Sequence, residues 1–332
     1  ILSGLFLFAS FATNASDFLL NEYSVVTIGD FESGSGTHIA GSTFVGGDYT
    51  GGKSDLGQSL KQNAGIDVLT VAGTMKANVS TFQNDIVLSS TQNKINNTSK
   101  NKNANQTKLS SKVTLSSVGT VKFSSDLDAI KADYKTQLEN SSEYFASLET
   151  NSKLVTTNNK QNNKLTVNNE LGDNGIAVFS LDGFTSIFNA RNQSIELAGN
   201  NISDLSAIVI NVAGNDLSIA NNSNINGSFN NKEISSKVIW NFYEATSIDL
   251  GSQKFVGAIL APLATVTQTG GNIYGSVGAF SLITNAEINV PTNVDITSSE
   301  LKKAIAVPEP TSLILLLIAF AGLFYQRKML NV

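Results

Sequence analysis

Short apolar runs, each stopped by glycine or asparagine, fill most of this chain and narrow the folds open to it. Tyr23-Ser-Val-Val-Thr-Ile-Gly29, Asp67-Val-Leu-Thr-Val-Ala72, Ala207-Ile-Val-Ile-Asn-Val212 and Lys237-Val-Ile-Trp-Asn-Phe-Tyr243 read as strands. A degenerate unit recurs among them, as His38-Ile39-Ala40-Gly41-Ser42, Asn224-Ile225-Asn226-Gly227-Ser228 and Asn272-Ile273-Tyr274-Gly275-Ser276. In each copy the isoleucine can point inward, the glycine permits a corner and the serine faces out. Strand-corner units that bury no face alone stack into solenoids, although the spacing between these copies is irregular.

The chain has 332 residues and no cysteine. Without disulfides, an exported β protein is held by core packing and backbone hydrogen bonds, which favours a large regular structure. The single histidine, His38, excludes a two-histidine zinc motif and leaves a Ser-His-Asp triad one candidate base. The formal charge is −5 and the domain carries no basic run, so no nucleic-acid partner is expected. Asn, Ser, Thr and Gly dominate the polar positions, which suits turns and stacked side-chain ladders.

One stretch departs from the β pattern. Residues 125–149 carry Leu127, Ile130, Tyr134, Leu138, Phe145 and Leu148 at three- and four-residue steps, interrupted by Ser141. This spacing predicts an amphipathic helix. Ser125 can cap it, with Asp128 completing a capping box, and Asp126 and Asp128 suit the positive end of the helix dipole. Such a helix is about 37 Å long, matching roughly seven or eight strands stacked about 4.8 Å apart. The Asn- and Lys-rich residues 91–112 and 151–169 read as exposed loops, and residues 291–306 as a linker.

The two ends read as processing signals. Residues 1–11 are apolar, and small residues stand at Thr13 and Ala15. Residues 1–15 thus read as a signal peptide for the Sec translocon, cleaved after Ala15, with its first residues missing from the record. At the other end, Val307-Pro308-Glu309-Pro310 leads into an apolar run from Leu313 to Tyr325, closed by Arg327 and Lys328. The prolines stop a helix from running back into the domain, and the basic pair favours the cytoplasmic side of a membrane. The run is short against the roughly 20 residues that span a bilayer. Residues 307–332 resemble the PEP-CTERM signal. That resemblance implies an exosortase-type sorting enzyme as partner, an apolar C-terminal sorting helix, transient residence in the inner membrane of a Gram-negative-type bacterium, and delivery to the cell surface or extracellular matrix.

Two blocks of the domain carry a second resemblance. The first is Val25-Val-Thr-Ile-Gly29-Asp30-Phe31 with His38-Ile-Ala-Gly41 and Gly46-Gly47-Asp48-Tyr49. The second is Val238-Ile-Trp240-Asn241-Phe242-Tyr243 with Phe255-Val-Gly257-Ala-Ile-Leu-Ala261-Pro262 and Gly270-Gly271-Asn272-Ile273-Tyr274-Gly275. Together these resemble the choice-of-anchor A family, which is similar to ice-binding-like adhesive domains. The resemblance implies a right-handed β-solenoid over residues 16–290 with one long helix packed alongside.

No catalytic cluster stands out. Asp30 and Asp48 each follow a glycine and precede an aromatic residue, so each either caps a turn or ligates calcium in a solenoid corner. No other cofactor is expected. Asp182, Asp204, Asp216, Glu244 and Asp249 are candidates for a glycosidase pair, which spacing alone cannot match. Trp240 and Tyr243 either stack on a sugar or pack the core. Thr265, Thr267 and Thr269 would share one face of a strand, as a candidate ligand-facing row that either orders water on ice or reflects plain strand propensity. The expected function is a non-enzymatic, exported surface or matrix protein contacting exopolysaccharide; a glycan-active β-helix enzyme and an ice-binding protein are the alternatives.

Overall fold

The computed structural model describes residues 18–60, 65–82, 84–92, 113–115, 119–155, 162–167, 175–184, 187–188, 194–198, 202, 205–219 and 226–289. The residues read as processing signals (1–15 and 307–332, with Val307 to Pro310, Arg327 and Lys328), those read as a linker (291–306), most of the expected loop at 91–112 and Asp204 lie outside these residues. The apolar runs form strands at Tyr23–Thr27, Leu69–Val71, Ala207–Ala213 and Val238–Asn241.

Parallel pairing arranges the strands in rows. The first row runs Val121–Ser124, Ile86–Ser89, Leu69–Val71, Ser42–Val45, Tyr23–Thr27, Val277–Thr284, Ala258–Gln268, Val238–Asn241, Ala207–Ala213 and Ile176–Asp182. Its longest strand changes register between Ala261 and Thr265. Beyond that bend it pairs with Ser247–Asp249, and Val277–Thr284 pairs with Phe31–Ser33. This forms a second row, extending to Asp216–Ser218 on one side and Tyr49–Gly51 on the other. The third row is a seven-stranded sheet from Val113–Leu115 through Thr37–Ile39 to Phe255–Val256. Successive circuits lay a strand in each row, and the result is a three-sided β coil.

The chain does not climb this coil in sequence order. Tyr23–Thr27 sits mid-row, with Ser42–Val45 on one side and Val277–Thr284 on the other. The chain winds outward to Val121–Ser124, crosses to the far end, re-enters at Ile176–Asp182 and winds back to close on its own start. Helix α1 (Leu19–Glu22) leads into the first strand. Helix α2 (Leu127–Ser147) makes the crossing. Its 21 residues span about 31 Å, and the ten-strand row is about 43 Å long at about 4.8 Å per step.

Alternation within strands divides the apolar side chains between two cores. Val238 and Trp240 point inward with Ile208, Ile210 and Ile259. Ile239, Val209 and Leu260 point outward beneath α2, against Leu138 and Phe145. The helix is shorter than the predicted 125–149. Asp126 takes the N-cap position without a side-chain cap bond. Ser125 Oγ instead donates to Asp126 Oδ1 at 3.1 Å, so the predicted capping box does not form. Ile130 is exposed. Gln137, Ser141 and Ser142 are buried in the apolar stripe.

Two other expectations change. The unit serines Ser42 and Ser276 are buried rather than outward, and Ser276 Oγ donates to Leu20 O at 2.6 Å. Leu20 of α1 takes the Ser276 hydroxyl, whereas the buried Ser42 Oγ has no hydrogen-bond partner among the described residues. Residues 151–169 contain strands at Lys153–Val155 and Asn162–Thr166, paired antiparallel, in place of a continuous loop. Leu165 and Val167 supply a buried side, and Asn163 Nδ2 donates to Ile187 O at 3.2 Å. Beside them Asn151 closes the edge of Ile176–Asp182. Its Nδ2 donates to Ile176 O at 2.9 Å and its Oδ1 accepts from Val178 N at 2.8 Å, as a neighbouring peptide group would. Capping an edge in this way blocks further strand addition.

Candidate functional site

The corner aspartates bind backbone. Asp30 Oδ1 accepts from Asp48 N at 2.8 Å, Asp48 Oδ1 from Thr74 N at 2.7 Å, and Asp85 Oδ1 from Thr120 N at 2.7 Å. Each carboxylate thus ties its turn to the next circuit. Lys76 pairs with Asp48 and Lys122 with Asp85. The lysine contact, followed by the backbone bond, holds the Asp48 carboxyl below its usual range, and Lys122 does the same for Asp85. A depressed carboxyl contributes stability above the unfolded value of about 3.8–3.9 and loses it as pH falls through the folded value. Calorimetry should show the melting temperature falling below about pH 4, with a smaller fall in Asp48→Asn/Asp85→Asn. Equal pH slopes would refute this assignment.

Thr265 and Thr267 are half-exposed on the second row, with Val266 buried between them. Thr269 is exposed just beyond the strand, its N–H donating to Gly251 O at 2.7 Å. Across the row, Thr265 stands in register with Ser247 and Ser281. Thr267 stands between Asp249 and Ile283, and Glu32 and Thr50 continue that column. The outward columns therefore mix hydroxyls, carboxylates and an exposed isoleucine.

The remaining candidates separate. Trp240 is fully buried, donates from Nε1 to Val256 O at 2.8 Å and packs against Phe188 and Phe255. Tyr243 is half-exposed on the following corner. Glu244 Oε1 accepts from Gly214 N at 2.6 Å, and Asp249 Oδ1 from Gly251 N at 2.8 Å. Asp182 and Asp216 are exposed at separate strand positions. His38 Nδ1 lies 3.1 Å from Gln58 Nε2 and 3.7 Å from Asp55 Oδ2 on the third row. Among the described residues, no three His, Asp or Glu side chains converge as a metal site.

One feature escaped the sequence reading. Helix α3 (Lys232–Ser235) begins at Asn231, whose side chain accepts from Glu233 N, and follows a 3-10 turn at Ser228–Asn230. These segments stand over the end of the third row and leave a cleft of about 370 Å³. Asn230, Lys232, Ser235 and Ser236 line one side, and Lys254 and Tyr274 the other. Lys254 Nζ lies 5.1 Å from the centre of the Tyr274 ring and donates to Asn230 Oδ1. Tyr274 is 41% exposed. The corner behind it requires glycine. A Cβ at Gly275 would fall inside the backbone of Gly257, and at Gly257, with φ +104°, it would meet Val238 Cγ1 at 2.7 Å.

The family model described as "Putative Ice-binding-like adhesive domain" matches residues 18–290. The chain belongs to this family. Among solved structures, the ice-binding protein of the Antarctic ascomycete Antarctomyces psychrotrophicus is 12% identical, with a TM-score of 0.38 over 82% of this chain and 95% of that one. An ice-binding protein from an Antarctic biological consortium is 14% identical, with a TM-score of 0.41 over 86% and 94%. Curated protein sequences give no match. In this ice-binding-like adhesive domain, the matched region takes in the α2-covered row, the mixed second row and the cleft under α3.

Proposed function

We propose that this ice-binding-like adhesive domain works outside the cell as a non-enzymatic surface or matrix protein that holds exopolysaccharide. The observation carrying this reading is the second row. Its columns Ser247–Thr265–Ser281 and Asp249–Thr267–Ile283–Glu32 offer donors, acceptors and an apolar contact along one direction. A polysaccharide presents hydroxyls and C–H faces with the same variety. Ice calls for a flat, regular array, which Glu32 and Ile283 interrupt. The coil is read as right-handed, as parallel crossovers almost always are.

Sec-dependent export, followed by exosortase-type recognition of Val307-Pro308-Glu309-Pro310 and of Arg327 and Lys328, would deliver the domain from the inner membrane to the surface of a Gram-negative-type cell. Cosedimentation with matrix polysaccharide tests the adhesive role. The purified protein should be retained, and Thr267→Glu, which adds charge beside Asp249, should weaken retention several-fold. Thermal hysteresis without polysaccharide retention would replace this reading with ice binding.

A further inference from the structure

We propose that the cleft between α3 and the third row receives a single hexuronate unit, a carboxylated sugar, of a matrix polysaccharide. The proposal rests on the adhesive reading and gives it a specific site. The chain is acidic, at −5. The side chains lining the cleft nevertheless include Lys232 and Lys254 and, among the described residues, no carboxylate. An anion approaching this acidic surface meets locally positive potential there.

The cation is already oriented. Asn230 Oδ1 accepts from the Lys254 ammonium, which also lies over the Tyr274 ring. Holding it before a ligand arrives reduces the entropy lost on binding. Tyr274 presents a large exposed ring with a polar tip, suited to the apolar side of a pyranose. Ser235 and Ser236, whose hydroxyls donate to Lys232 O and Glu233 O, offer acceptor oxygens, and the Asn230 amide nitrogen can donate, so sugar hydroxyls meet both kinds of group. The volume of about 370 Å³ falls at the low end of ligand pockets, about 300–1,000 Å³. That size fits one unit of a polymer whose remainder stays outside.

Calorimetric titration of the purified protein tests this, using trimers of galacturonate, glucuronate and mannuronate, the neutral galactose trimer, and inorganic phosphate. At least one uronate trimer should bind saturably, about tenfold more tightly than the neutral trimer, and more weakly as salt rises. Lys254→Gln and Tyr274→Ala should each weaken it about tenfold, with melting temperatures nearly unchanged because both positions are at the surface. Failure of all three uronates to bind would overturn the proposal. So would equal binding by the Lys254→Gln/Tyr274→Ala double variant, or phosphate binding as tightly as uronate and independently of Tyr274. If the double variant still cosediments normally with matrix polysaccharide, the site fails while the adhesive reading stands. If the unaltered protein retains no polysaccharide, the adhesive reading itself fails.

Discussion

Trp240→Ala should lower the unfolding free energy by about 3–5 kcal/mol, the range for emptying a buried aromatic site. The indole fills the interior between Phe188 and Phe255, with ring centroids 5.7 and 5.4 Å away. Neighbouring circuits are tied through parallel strands, Ile210 and Ile259 standing on either side of Trp240. Collapse into the cavity would therefore pull on backbone that pairs on both sides. Removing the indole also leaves Val256 O without its 2.8 Å donor, and an unmet buried acceptor costs about 1–3 kcal/mol within that total. Trp240→Phe should retain much of the packing and lose mainly the hydrogen bond. Denaturant unfolding of the three proteins measures this. A loss below about 1 kcal/mol for Trp240→Ala would contradict the packing described.

Trp240 illustrates what a sequence of this kind reveals. Alternation alone assigns Trp240 and Phe242 to one face and Asn241 to the other, and the strand is recognisable before any pairing is known. The same holds for Leu138 and Phe145, whose helical spacing marks a buried stripe. The order of circuits was hidden. Tyr23–Thr27 lies between strands beginning at Ser42 and Val277, and no local signal encodes a partner some 250 residues away. By sequence Asn163 and Asn151 read as loop residues, because asparagine is common in turns. In the structure Asn151 satisfies backbone groups at a sheet edge and Asn163 donates to Ile187 O, roles that depend on their neighbours. The cleft was hidden for the same reason. Lys254 and Tyr274 are 20 residues apart and meet because Val256 pairs with Tyr274. Asn230 reaches them from a third segment.

Asn241→Ala should have the second large effect, about 2–4 kcal/mol, by detaching α2 from the coil. Asn241 is completely buried beneath the helix. Its Oδ1 accepts from Ser142 Oγ at 2.6 Å, and its Nδ2 donates to Ser142 O at 2.9 Å and to Asn211 Oδ1 at 2.8 Å. Asn211 Nδ2 in turn donates to Phe145 O at 2.8 Å. Two asparagines in register on adjacent strands thus hold the C-terminal part of the helix. Alanine leaves the Ser142 hydroxyl, the Ser142 carbonyl and the Asn211 oxygen without this partner in an apolar setting. Each such group is expensive to leave unmet. Asn241→Asp preserves shape but places a carboxylate where two donated bonds were made, so it should be at least as damaging at neutral pH. Asn211→Ala should be non-additive with Asn241→Ala, because both act on one network. Hydrogen exchange separates helix release from general destabilisation. Amides of 138–147 should lose protection in Asn241→Ala more than those of Val277–Thr284, whereas a uniform loss along the coil, or additive single substitutions, would show that the asparagine pair does not clamp the helix.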